Sequence, residues 1–395
     1  MPAGRGTTMW RELAAVMFHR RFVLTLALAG ALVAACGPGR GTVVSTSTPR
    51  PATPAAAASP TPPATPAYAG PLVAVLDHPF GADPNTLRLL RPDGTEAAHV
   101  ALDPDAEAVA TSGSLVLVAG AGKLHAYSRD GLTAAQMSLP GDTSTSLVRG
   151  LIGDTTGAHW LWSSVAQTSG SAVSSVYAAG GSAPPALVMK RTQNGTALQP
   201  VAWTAGGPVV SEEPLGIGGY VLFRRTFGAA SRIDPTTGAV SALTPGNCAF
   251  SDMSADGTVA CVLDGREGPQ HGSGPVTLRI LRPGHAATDV SLPAGMAQAG
   301  AAFFSADGST LSLAMSPALG EGQEQIETDL VDVATGARHT FGPAGLIPNA
   351  WMPDGSLLAV RLPGVTGGDA GTYLVARNGT ASLLCTASTV IGVLR

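Results

Sequence analysis

A turn recurs through the second half of this chain at nearly constant spacing, and no other feature limits the fold as strongly. Trp203-Thr204-Ala205-Gly206-Gly207, Met253-Ser254-Ala255-Asp256-Gly257, Phe304-Ser305-Ala306-Asp307-Gly308 and Trp351-Met352-Pro353-Asp354-Gly355 align, with last glycines 50, 51 and 47 residues apart. Each of the last three is followed by a short apolar run, over 258–262, 310–314 and 356–360. A second turn comes later in every unit: Asp234-Pro235-Thr236-Thr237-Gly238, Arg282-Pro283-Gly284, Val333-Ala334-Thr335-Gly336 and Arg377-Asn378-Gly379. Asp-Gly and Asn-Gly supply the positive φ angles that tight hairpins demand. Two such turns make four strands, and a repeated four-stranded unit buries its faces only by stacking on copies of itself.

The same punctuation runs through the first half. Leu115-Val116-Leu117-Val118, Tyr220-Val221-Leu222-Phe223 and Thr277-Leu278-Arg279-Ile280-Leu281 read as strands. Pro92-Asp93-Gly94, Arg129-Asp130-Gly131 and Asn194-Gly195 read as hairpin turns. Long amphipathic helical patterns are absent, 50 glycines and 31 prolines interrupt the chain, and charged residues are 13%. The expectation is an all-β, seven-bladed β-propeller. Its blades span 71–107, 108–145, 146–198, 199–246, 247–295, 296–346 and 347–387. The first is one strand short, and Thr389-Val390-Ile391-Gly392-Val393-Leu394 remains over at the end. The reading assigns that segment to the first blade, where it closes the ring and removes two open edges.

These turns resemble the WD40-like (PD40-type) repeat of TolB-type propellers, whose hallmark is Trp-Ser-Pro-Asp-Gly before an apolar strand. The match is good around Asp256, Asp307 and Asp354, degenerate at Gly206-Gly207 and faint before residue 200. The resemblance implies a fold and no activity. TolB proper has an N-terminal α/β domain where this chain shows a linker, so its partner and transport role are not carried over. In the sialidase Asp box one residue separates Asp from Gly; here they are adjacent.

Residues 1–35 read as a signal peptide: Arg20 and Arg21, then 14 mostly apolar residues from Phe22 to Ala35. The run falls short of the roughly 20 apolar residues of a membrane span. Leu32-Val33-Ala34-Ala35-Cys36 resembles the lipobox of bacterial lipoproteins, which implies lipidation of Cys36 and a place in the cell envelope. The protein is then anchored on the outer side of the cytoplasmic membrane or in the periplasm. Residues 36–70 form a linker with eight prolines among Ser, Thr, Ala and Gly, a composition that buries no core. Extended at about 3.1 Å per residue, it reaches roughly 100 Å. The folded body is 71–395.

Chemistry has few footholds. Gly-x-Ser-x-Gly, His-Glu-x-x-His, Walker and Cys-x-x-Cys patterns are all missing, and the eight histidines are scattered. Lys123 and Lys190 are the only lysines, and removing residues 1–35 takes the net charge from −4 to −7. Nucleic-acid binding, which needs clustered positive charge, is therefore not expected. Cys248 and Cys261 flank one predicted hairpin. Residue 250 or 251 is expected opposite Cys261, so a bridge calls for a bulge, and both the bridged and unbridged states stay open. Cys385, on an apolar run, reads as a small hydrophobe. Trp203, Phe304 and Trp351 read as packing between blades, and Trp160 and Trp162 as core.

One constellation stands out. The long connections between second and third strands would bring Asp77, His78, Asp83, Glu212, Glu213, Asp264, Arg266, Glu267, His271, Glu321, Glu324, Glu327 and Asp369 to one rim. Loops held by a rigid scaffold are where function concentrates, although solvated loop surface accounts for the same residues. Two function classes follow. One is a non-catalytic binding or scaffold module for a protein, peptide or glycan. The other is an extracytoplasmic hydrolase or lactonase with a divalent cation in the channel. The first needs no cofactor and is favoured by the missing nucleophile and metal motifs.

Overall fold

The computed structural model describes residues 68–77, 85–103, 105–130, 132, 134–140, 146–168, 171–180, 183–215, 228–246, 248–263, 276–317, 325–365, 367–386 and 389–395. Cys36, the signal segment, most of the linker and the strand expected at Tyr220–Phe223 lie outside them. Among the described residues every regular element is a β-strand, and the strands form seven antiparallel four-stranded sheets. The chain is a seven-bladed β-propeller.

Six sheets take their strands in chain order, from an inner strand outwards. Their inner strands are Ala106–Ser112, Ser146–Gly153, Thr196–Thr204, Cys248–Met253, Met296–Phe304 and Ile347–Trp351 for blades 2 to 7. Blade 1 is composite. The final strand, Thr389–Leu394, lies inside Leu72–Asp77, followed by Thr86–Leu90 and Glu96–Ala101. Leu72, Val73 and Ala74 pair with Leu394, Val393 and Gly392. The tail therefore clasps the head, as the count of strands requires.

The core is a set of apolar seams. Leu87, Leu89 and Leu394 of blade 1 pack with Val116 and Val118 of blade 2. Leu117 and Leu124 then meet Leu151 and Trp162 of blade 3. Leu161 and Val176 meet Leu198 and Val210 of blade 4, and Val209 meets Phe250 of blade 5. Val262 and Leu278 meet Phe304 and Leu313 of blade 6, and Ala314, Leu358, Val360 and Val390 carry the packing through blade 7 back to blade 1. Large side chains at the repeat positions reach back to the preceding blade. The Trp203 ring stacks on His159, with centroids 4.5 Å apart. Trp351 Nε1 donates to the Phe303 carbonyl at 2.8 Å. Trp160 and Trp162 share one cluster, with Trp162 only 1% exposed.

The repeated aspartates build the first turn of their blades. Asp307 Oδ1 accepts the Ser305 hydroxyl at 2.6 Å and the Ser309 N–H at 3.1 Å. Asp354 accepts the Ser356 N–H and hydroxyl at 2.9 and 2.6 Å. Asp256 does the same for Ser254 and Thr258. Each is a side-chain copy of a backbone turn, and the following glycine takes φ between 71° and 85°. Asn194-Gly195 departs from expectation. It is the crossover from the outer strand of blade 3 (Ala183–Asn194) to the inner strand of blade 4, which begins at Thr196. Gly195 has φ 73° there, so the positive φ serves a change of sheet. The blade boundary accordingly lies near 195 and not at 198.

Cys248 and Cys261 are disulfide-bonded, with Cα atoms 5.4 Å apart. Phe250 stands opposite Cys261 and Cys248 opposite Leu263, so the bridge runs diagonally across one sheet face. The register shift lies beyond it, between Phe250 and Asp252. No bulge separates the two cysteines along the strand, because a diagonal pair on one face is within reach.

A buried acid joins blades 5 and 6. Asp252 Oδ2 accepts the Phe304 N–H at 2.7 Å. Protein encloses the carboxyl, although solvent reaches part of the residue, and burial pushes its pKa up to about 7. The turn aspartates move the other way. The Ser305 hydroxyl, then the Ser309 N–H, hold Asp307 at about 2, and Asp256 and Asp354 are lowered by the same kind of bonds. An unfolded aspartate titrates near 3.9. Stabilisation by the turns is complete above about pH 4 and lost as pH falls towards about 2. For Asp252 the unfolded chain releases its proton first, so stability falls as pH rises from about 4 to about 7. Denaturant midpoints should therefore be higher near pH 4.5 than near pH 2.5 or pH 7.5, and Asp252→Asn should flatten the neutral-side decline. A decline unchanged in Asp252→Asn would remove Asp252 as its cause.

Candidate functional site

Chain direction alone defines one face of the ring. Every second strand ends, and every third begins, on the same side. Blades 2 and 3 make that connection in two residues, Ala121-Gly122 and positions 169–170. The connections of blades 4, 5, 6, 7 and 1 run over 215–229, 264–276, 318–326, 362–370 and 78–85. Five consecutive blades thus have connections of 8 to 15 residues on this side, and blades 2 and 3 have connections of two.

Of the carboxylates and partners expected on this rim, Asp77, Glu212, Glu213, Glu327 and Asp369 are described. His78, Asp83, Asp264, Arg266, Glu267, His271, Glu321 and Glu324 lie outside the described residues. The structure gives three of the described carboxylates an arginine. Asp77 ends the second strand of blade 1 and meets Arg88 at 3.3 Å; Arg88 also holds Glu96 at 2.7 Å. Glu212 meets Arg191 at 3.1 Å, tying blade 4 to the outer strand of blade 3. Glu213 is 3.9 Å from Arg149, and burial raises its pKa despite that neighbour. This part of the rim is charge-compensated, so a cation ligand there would compete with resident guanidinium groups. No group of three His, Cys, Asp or Glu side chains that could hold a metal occurs among the described residues.

The loop of blade 7 is organised from beneath. Arg361 closes the second strand at 3% exposure. Its Nη1 donates to Tyr373 Oη at 3.1 Å, its Nη2 donates to the Ala344 carbonyl at 3.0 Å, and the guanidinium lies 4.9 Å from the Tyr373 ring centroid. Tyr373 in turn donates to the Asp369 carbonyl at 2.7 Å. A Cβ at residue 368 would come within 2.4 Å of Arg361 Nη1, and its φ is 148°, so glycine is required for the loop to close on the guanidinium. The Asp369 side chain remains exposed.

The inner strands share a second device. Each carries a register shift in its pairing with the next strand. A bulge re-aims the extra side chain, and those extra residues include Glu107 in blade 2 and Arg149 in blade 3. Glu107 Oε2 accepts the Val148 N–H of the next blade at 2.7 Å. It borders a small depression lined also by Gly122, Leu139, Pro140, Ser146, Val148, Trp162 and Ser164. None of these residues was among those expected at the site. They come from two blades and several strands, so no local spacing in the sequence marks them.

Neither a protein-family model nor a curated protein matches the chain. Solved structures do. Oligogalacturonate lyase from Vibrio parahaemolyticus superposes with a TM-score of 0.52 at 8% identity, over 78% of this chain and 87% of the lyase. TolB from Acinetobacter baumannii gives 0.43 at 13% identity, over 79% of this chain, which spans 62% of the TolB length. The WD40 β-propeller domain of Doa1 gives 0.43 at 12% identity, over 82% and 90%. At 8% identity the likeness to the lyase is one of fold alone.

Proposed function

We propose that the chain is a lipid-anchored, extracytoplasmic β-propeller that acts as a non-catalytic binding module, presenting its loop face to a protein, peptide or glycan. The observation that carries this reading is the loop distribution: five consecutive blades send long connections to one face of a rigid ring. A buried disulfide accords with export to an oxidising compartment. The lipobox-like segment at Cys36 and the proline-rich linker supply the anchor and the reach.

The experiment follows the full chain in its native envelope. The wild-type protein should fractionate with membranes, and Cys36→Ala should move it to the soluble fraction. Crosslinking should then capture a partner from the wild type that is lost when the connections 264–276 and 318–326 are each cut to two-residue turns. A partner retained by that shortened chain would refute the loop face as the binding surface. Stoichiometric metal in the purified protein, together with hydrolysis that depends on it, would refute the non-catalytic reading.

A further inference from the structure

We propose that the depression between blades 2 and 3 is a seat for a primary ammonium group, the lysine side chain of a peptide or protein ligand. The inference rests on the reading of the loop face as a binding surface and names the chemistry of one part of it. The seat lies on the side of blades 2 and 3 where their second and third strands are joined by only two residues.

Its polar wall suits a cation with three donors. Glu107 spends one oxygen on the Val148 N–H at 2.7 Å, and a carboxylate retains further lone pairs after one such bond. Unlike Asp77, Glu212 and Glu213, it has no ion-pair partner among the described residues. Ser164 donates its hydroxyl to Ser146 at 2.7 Å, which orients the Ser164 oxygen as an acceptor for an incoming N–H. Trp162 completes the wall, held by stacking on Tyr177 at 5.6 Å between centroids.

Size and surroundings narrow the ligand. The depression has room for about one water-sized group. An ammonium head is of that size; a trimethylated one is not. Leu139, Pro140 and Val148 offer apolar surface along which the methylene stem of a lysine can lie while its head enters. The net negative charge of the chain favours a basic partner during encounter.

The test is calorimetric titration of the full chain with acetyl-Gly-Lys-Gly-amide. Binding is expected with a dissociation constant of about 1 mM and about tenfold weaker in Glu107→Gln. The acetyl-lysine and trimethyl-lysine versions of the peptide should not bind. Glutamine keeps an acceptor for the Val148 N–H, so the fold should persist; should its thermal midpoint drop, Ser164→Ala gives the second reading and should also weaken binding. Equal affinity for the acetylated peptide overturns the proposal, as does unchanged affinity in both variants or no binding by the wild type. A chain that crosslinks its envelope partner yet ignores the lysine peptide overturns the ammonium seat and leaves the binding-module reading standing.

Discussion

A chain ending at Ser388 is expected to lose its cooperative fold. The missing strand, Thr389–Leu394, is the inner strand of blade 1, and Leu394 and Val390 are 0% and 8% exposed. Burial of each such side chain is worth about 1.5–3 kcal/mol, and the ladder to Leu72–Leu76 adds about 1 kcal/mol per hydrogen bond. The tail also reaches blade 2, since the Arg395 N–H donates to the Gly113 carbonyl at 3.1 Å. These losses together rival the roughly 5–15 kcal/mol that holds a typical domain folded. Truncation also bares the edge of Leu72-Val73-Ala74-Val75-Leu76, a run with no charge to block pairing with another chain. The truncated protein should therefore aggregate or lose its near-ultraviolet circular dichroism. Leu394→Ala, a milder lesion, should lower stability by about 2–5 kcal/mol with the fold retained. A soluble truncated chain that melts where the full chain does would show that the ring needs no clasp.

The fold is legible because its punctuation is local. Asp256, Asp307 and Asp354 bond within their own turns, to residues two positions away, so the motif survives in the sequence wherever the turn survives in space. Blades 2 and 3 lack the motif because their first turns use other chemistry. Gly113 makes a two-residue hairpin after Ser112, while Asp154 gathers Thr156, Ala158 and His159 around itself. The strand count still identified these blades. Asn194-Gly195 misled for a related reason: a positive φ serves a crossover as readily as a hairpin, and the dipeptide alone does not distinguish them.

The site is less legible because its partners come from afar. Arg191 precedes Glu212 by 21 residues and Arg149 precedes Glu213 by 64, each pair meeting across the seam of blades 3 and 4. A list of rim carboxylates therefore overstates the bare negative charge. Glu107, Trp162 and Ser164 come together for the same reason, through the packing of two sheets, and all three stand on strands and not in long loops. Arg361 is the reverse case. It stands next to an expected loop, yet its role depends on Tyr373 and on the absence of a side chain at Gly368.

Replacing both Cys248 and Cys261 by alanine is expected to cost about 2–4 kcal/mol. The bridge closes a chain separation of 13 residues, and constraining a loop of that size in the unfolded chain accounts for about 3 kcal/mol in the entropic model. Both residues are 0% exposed in the seam of blade 5, so a reductant reaches the sulfurs only when the blade opens. The native protein should therefore withstand dithiothreitol with its near-ultraviolet spectrum unchanged, and yield to the same reagent once denaturant populates the open state. The denaturant midpoint of the double variant should fall, and its slope should rise slightly, because the unfolded chain without the bridge is less compact. Equal midpoints for the oxidised chain and the double variant would mean that the bridge is neutral. Compartment supplies a comparison without mutation. A chain made without export keeps its thiols reduced, so the same sequence should be less stable by a similar amount when produced in the cytosol. Because the bond sits one strand register from Asp252, which joins blades 5 and 6, the reduced chain should open first at that seam, with hydrogen exchange accelerated over Phe250 and Phe304 before Leu117 or Leu161.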